Sequence, residues 1–140
     1  MLSFRRALGA AFEAIRELLT EGGLNYPLLT EAIYRNLLVR DGRYCFVALH
    51  AGKVVGSVFG SLVLGGMYGY VDKLVVHPAY QRGGVGHSLV SSVLDQRDED
   101  GISVDFTHIE KTNDQSIRLF KGNEFTIRAT HYLLGRGYKK

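Results

Sequence analysis

The chain has 140 residues, 46% of them hydrophobic and 22% charged, with 17 glycines, 2 prolines and a net charge of +3. That is the length of one domain, and the pattern excludes a collagen-like repeat or a flexible glycine linker. The single cysteine, Cys45, excludes an intramolecular disulfide and a cysteine-based zinc site. No apolar run approaches the roughly 20 residues of a membrane span. Glu13, Arg16 and Glu17 interrupt anything like a signal-peptide core. The expectation is a single domain, 1–140, cytoplasmic, with no membrane or nucleic-acid partner: no basic run or RNP-type aromatic motif is present.

Leu2 to Arg6 reads as a first strand. Ala7 to Glu21 reads as a helix, because Leu8, Ala11, Phe12, Ile15, Leu18 and Leu19 recur at spacings of three and four. Gly22-Gly23 stops it. A second helix starts at Pro27, carries Leu28, Leu29, Ile33, Tyr34 and Leu37, and ends near Asp41-Gly42. Arg43 to His50 and Val54 to Leu64 form a hairpin about Ala51-Gly52-Lys53. After Gly65-Gly66 the next strand is Tyr68 to His77. Pro78 to Gly84 is a loop, Val85 to Arg97 a helix, Ile102 to Ile109 a strand, Asn113 to Gly122 a helix, and Phe125 to Leu134 a last strand. An antiparallel meander feeding a β-α-β crossover defines an α+β fold with a mixed sheet.

Nine of the 17 glycines lie between Gly52 and Gly86. Gly65 and Gly66 make a turn. Gly56, Gly60 and Gly69 sit in or beside strands, where glycine weakens a strand unless something must come close. The most informative cluster is in Leu74 to Leu89, LVVHPAYQRGGVGHSL. A strand ends, a glycine-rich turn follows, and a helix begins at once. The N–H groups of a helix start have no internal partner and sit at the positive end of the helix dipole. Such a turn suits a pyrophosphate. It is not a Walker loop, since Gly86 precedes His87 and Ser88 rather than Lys and Ser/Thr. The dinucleotide fingerprint G-x-G-x-x-G/A also fails, at Leu89.

The pattern present is Q/R-x-x-G-x-G/A, read from Gln81, Gly84 and Gly86 and preceded by Val76, Pro78 and Tyr80. Here the sequence resembles the GNAT superfamily of N-acetyltransferases. Asn113, Ser116, Leu119, Phe120 and Phe125 resemble that family's second motif, N-x-x-A-x-x-L-Y-x-x-x-G-F. The resemblance implies a mostly antiparallel sheet flanked by about four helices, with a splay between the fourth and fifth strands and a bulge near Asp72–Leu74. It implies acetyl-CoA as acyl donor and no metal. Gln81, Arg82, Gly83, Gly84, Val85, Gly86 and His87 would hold the pyrophosphate. Leu74 and Val76 would pair with the pantetheine amides and stabilise an oxyanion. Asn113, Ser116 and Phe120 would contact the cofactor from the fourth helix. Arg82, Arg118 and Lys121 are the bases near enough in sequence to serve a 3′-phosphate.

Acetylation of a primary amine by direct attack in a ternary complex needs a proton acceptor, oxyanion stabilisation and a leaving thiolate. Asp72 and Tyr70, alternating on the fourth strand, are the candidate catalytic pair, Asp72 first. His108 and Glu110 are reserves, and His77 only flanks the loop. Many relatives have a tyrosine acid where this chain has Phe120, and the family glycine before the last phenylalanine is Glu124. A thiolate with a pKa of about 8.5 can leave unaided; Tyr80 or Tyr132 could otherwise supply a proton. In similar proteins the segments that hold Tyr26, Tyr34 and Phe46 border the acceptor site, so the resemblance implies an aromatic floor, with plain core as the alternative. The acceptor is a small-molecule or peptide amine, and the protein a monomer or homodimer. The competing reading is a non-catalytic acyl-CoA-binding or partner-binding module.

Overall fold

The computed structural model describes residues 1–22, 29–130, 132 and 134–137. Five strands form one sheet in the order β1-β2-β3-β4-β5. They are β1 Leu2–Arg6, β2 Phe46–His50, β3 Lys53–Val63, β4 Tyr68–Val76 and β5 Asp105–Phe106. The first four pair antiparallel and β5 joins β4 in parallel, as expected of a mixed sheet. The helices are α1 Phe12–Glu21, α2 Glu31–Asp41, α3 Val85–Glu99 and α4 Asp114–Lys121.

Side-chain alternation along the strands makes two cores. Val47, Leu49, Phe59 and Val75 point to one face and pack with Phe12, Ile15, Leu18 and Leu19 of α1 and Tyr34 of α2. Ala48, Val55, Val58 and Val71 point to the other and pack under Val85, Leu89, Val90 and Val93 of α3. The strand glycines let α3 sit close. A Cβ at Gly60 would lie 2.9 Å from the Tyr44 carbonyl and 3.2 Å from Val93.

Several boundaries differ from the sequence reading. Pro27 and Leu28, taken as the start of α2, lie outside the described residues, as do Gly23 and Tyr26. Within them α2 is capped by Thr30, whose hydroxyl accepts from the Ile33 N–H at 3.2 Å. Residues 42–44 form a 3₁₀ turn, so β2 begins at Phe46 and not Arg43. The fifth strand covers only Asp105–Phe106 of the expected 102–109, because its partner β4 diverges from it.

The described residues of 125–134 form no strand. Glu124 adopts φ +70° and turns the chain back. The Phe125 N–H then donates to the Phe120 carbonyl at 3.0 Å, and its ring packs edge-on against Phe120. Ile127, Tyr132 and Leu134 are left exposed.

Candidate active site

The site is made by a parity change in β4. Ser57 pairs with Val75, but Phe59 pairs with Asp72, so β4 carries one extra residue there. Lys73 takes φ +51° at this bulge. Before the bulge, the outer edge of β4 is shown by Gly69 and Val71. The Gly69 N–H donates to the Val104 carbonyl at 2.9 Å, and the Thr107 hydroxyl donates to the Val71 carbonyl at 2.8 Å. After it, the His77 N–H donates inward to the Val55 carbonyl at 2.8 Å. The intervening peptides of Leu74 and Val76 therefore face outward. The Gln81 amide donates to the Val76 carbonyl at 3.2 Å from that side.

Pairing of β4 with β5 stops after Tyr70 and Phe106. The two chains part beyond that rung, as the expected splay. The gap is an open cleft of about 190 Å³. Its walls are residues 71–74 and 107–110, and Asn113, Ser116 and Phe120 close it from α4.

At the far end of β4, a turn leads into α3. Gly84 is its N-cap at φ +79°, a conformation that favours glycine, with open space where a Cβ would be. The Ser88 N–H bonds back to the Gly84 carbonyl at 3.0 Å. Among the described residues, no acceptor serves the N–H groups of Arg82, Gly84, Val85, Gly86 and His87. Donors without acceptors at a helix start are chemically suited to an anion. Gly86 has a second role: its Cβ would lie 2.6 Å from Leu119 Cδ1, so its absence admits α4. Gln81, Arg82, Gly83 and His87 are exposed at the turn, and His87 Nδ1 lies 3.1 Å from Asn123 Nδ2.

Two acid–base groups meet at the mouth of the splay. Tyr70 Oη lies 2.8 Å from His108 Nδ1. Burial and then the charge of Asp72 push the Tyr70 phenol above its ordinary value, and a hydrogen bond from the His108 backbone pulls it back. The phenol is thus protonated at neutral pH, and the His108 tautomer sets which of the two donates. Asp72 is exposed and turned to its neighbour: Oδ1 accepts from the Lys73 N–H at 2.7 Å, and Oδ2 lies 3.1 Å from Lys73 Nζ. Glu110 lines the same cleft.

On α4, Asn113 is the N-cap and its Oδ1 accepts from the Ser116 N–H at 3.1 Å, which leaves its amide donors for the cleft. Phe120 is buried and brings no hydroxyl. Tyr80 is held elsewhere, with its Oη 2.6 Å from His50 Nδ1, and Tyr132 is exposed. Tyr34 is core: it is fully buried and donates to the Leu8 carbonyl at 2.7 Å. Phe46 packs at the edge of the α3 core. Burial pushes the Cys45 thiol up to about 11, so it is an inert core group. Arg118 and Lys121 are exposed on α4. Among the described residues, no cluster of three metal-ligating side chains is present and no helix is long and apolar enough to cross a membrane.

Sequence reasoning missed Thr107, Ile109 and Lys73 as cleft residues. It also missed Arg97, read only as the last residue of a helix. The one available signal was Gly69, a glycine in a strand with no turn to make.

The profile of the Acetyltransferase (GNAT) family matches residues 10–125. No curated protein is significantly similar in sequence. Among solved structures, Ard1 from Thermoplasma volcanium is 23% identical, with a TM-score of 0.82 over 91% of this chain and 84% of that one. The aminoglycoside acetyltransferase meta-AAC0020, from an uncultured soil metagenomic sample, is 20% identical, with a TM-score of 0.82 over 99% and 97%. The diaminobutyrate acetyltransferase EctA from Paenibacillus lautus, solved with its diamine substrate and coenzyme A, is 22% identical, with a TM-score of 0.75 over 88% and 74%. Splayed strand, glycine turn and family profile agree: the chain belongs to the GNAT family of acetyltransferases. It is an N-acetyltransferase by class, and acetyl-CoA is the family's acyl donor.

Proposed function

We propose that this chain, acting as a single domain, acetylates a primary amine by direct attack within a ternary complex. The observation that carries the reading is the run of unpartnered N–H groups at the start of α3, aligned with an outward-facing strand edge and a cleft. Acetyl-CoA, when bound, supplies the thioester. The residues present fit it. The N–H groups of Arg82, Gly84, Val85, Gly86 and His87 hold the diphosphate, with Gln81 and Gly83 completing the turn and Arg82 adding charge. The Leu74 and Val76 peptides take the amide-bearing arm as an added strand. Their N–H groups also polarise the acyl carbonyl. Asn113, Ser116 and Phe120 form the opposing wall.

The Tyr70–His108 pair is the better proton acceptor. Tyr70 Oη takes a proton from the attacking ammonium while its own proton passes to His108 Nδ1, 2.8 Å away. Asp72 is offset by its ion pair with Lys73, so Glu110 is the carboxylate that draws a cation to the cleft. The acceptor is a small-molecule or peptide amine. The leaving thiolate needs no acid from position 120, because a thiol pKa is about 8.5.

Phe120 also supports a second reading, an acyl-CoA-binding module without turnover. Thiol release from acetyl-CoA with a panel of peptide N-termini, lysine, polyamines and aminoglycosides separates the two. We expect coenzyme A to raise the melting temperature and Gly84→Trp to abolish that rise. Tyr70→Phe and His108→Gln should bind coenzyme A normally and lose about 100-fold in turnover, within the usual range for a removed acid–base group. Binding without turnover on any amine supports the module. If coenzyme A gives no shift and Gly84→Trp changes nothing, both readings fail.

A further inference from the structure

Arg97 lies in the last turn of α3, where a basic residue ordinarily sits in water beside the helix C-terminus. Its side chain is instead 1% exposed. Nε donates to Asp105 Oδ1 on β5 at 2.8 Å. Nη2 donates to the carbonyl of Tyr70 on β4 at 3.2 Å and to that of Ser61 on β3 at 2.9 Å. The guanidinium carbon stands 4.1 Å from the centre of the Tyr44 ring. One buried cation thus ties three adjacent strands.

Its place along them is specific. Among the described residues, the rungs between β4 and β5 are Gly69 with Asp105 and Tyr70 with Phe106. Arg97 touches the first rung through Asp105 and the second through the Tyr70 carbonyl. Beyond them the strands part. Gly69 makes the arrangement possible, since a Cβ there would lie 2.3 Å from both Arg97 Cζ and Asp105 Oδ1. Stability alone explains this poorly. A buried ion pair is often no more stabilising than apolar side chains of the same volume, and Arg97 Nη1 is buried without a partner. Burial also pushes the Asp105 carboxyl above its ordinary value, against the pull of Arg97.

We propose that Arg97, with Asp105, is a positioning residue that fixes the point where β4 and β5 part and so holds Tyr70 against His108. The inference rests on the reading of that pair as the proton relay. Tyr70 is one residue past the clamped Gly69, and His108 is three past the clamped Asp105. A change of strand separation at Asp105 is passed directly to the phenol–imidazole distance. The diphosphate turn is set by other contacts and stays as it is.

The test is the double variant Arg97→Met/Asp105→Asn, which removes the pair without stranding a buried charge. Three readouts are taken: the ¹⁵N shift of His108 Nδ1 in the free protein, coenzyme A affinity, and kcat and KM with the best amine of the panel. Tyr70→Phe supplies the reference for a broken pair. The expected result is a His108 signal moved at least halfway to the Tyr70→Phe value. Coenzyme A affinity should stay within twofold and kcat should fall at least tenfold, with KM for acetyl-CoA little changed. A variant that only melts earlier, with a wild-type His108 signal and kcat at lower temperature, overturns the clamp. If the double variant does not fold, Asp105→Asn alone, which keeps the side-chain shape, is read by the same criteria. A Tyr70→Phe protein with wild-type His108 signal and kcat overturns the relay, and the clamp with it. An intact relay that ignores the clamp variants overturns the clamp alone.

Discussion

Tyr70 and Asp72 share a strand, yet one is half-buried and the other exposed. The phenol is half-buried, and Asp72 adds a negative charge that favours its protonated form. Removing that charge lowers the Tyr70 pKa. Asp72→Asn is therefore expected to move the high-pH limb of the kcat/KM profile toward lower pH, with turnover at neutral pH reduced far less than by Tyr70→Phe. A rate profile from pH 6 to 11 checks this, and an unmoved limb together with a large neutral-pH loss would make Asp72 the base instead. Alternation along the strand could show that these two residues share a face. It could not show that Lys73 closes on the Asp72 carboxylate, because that follows from the bulge.

At the scale of elements, the turn into α3 was legible because its chemistry is local: glycine at a left-handed N-cap and free amides in the first turn. The splay and the bulge could be anticipated from what a ligand-binding strand edge requires. The final strand could not be judged from its own alternation, since strand formation needs a partner and β5 offers two residues. The role of Arg97, and of the Gly69 that hints at it, was illegible for the same reason. Their meaning lies in how α3 crosses the sheet, which no local window contains. That crossing depends on the glycines of β3. Gly60→Val should cost about 1–3 kcal/mol by overpacking, since its Cβ would meet the Tyr44 carbonyl at 2.9 Å. Urea unfolding measures it, and a variant as stable as wild type would show that α3 can move away.

Across the whole molecule, the end of α3 is tied to the connection between α2 and β2. The Asp100 carboxylate accepts two hydrogen bonds from Arg43 at 2.7 Å each, one from Tyr44 at 2.6 Å and one from Gln96 at 3.2 Å. The Arg43 and Tyr44 hydrogen bonds hold its pKa well below the usual carboxylate range. A lowered folded-state pKa contributes stability that is present above the unfolded value of about 3.9 and lost as pH falls below it. Asp100→Asn should thus be less stable than wild type at pH 7, and the gap should narrow toward pH 2. Denaturation midpoints at the two ends of that range decide it; a constant gap would assign Asp100 no titrating role. The bulge at Lys73 carries a constraint of another kind. It works by count, since one surplus residue decides which peptides of β4 turn to the neighbouring strand and which to the cleft. Pairing this segment residue for residue, with none left over, would give a tidier sheet and turn the Leu74 and Val76 peptides inward. The cleft keeps its two peptides only while that surplus residue stands out of step with β3.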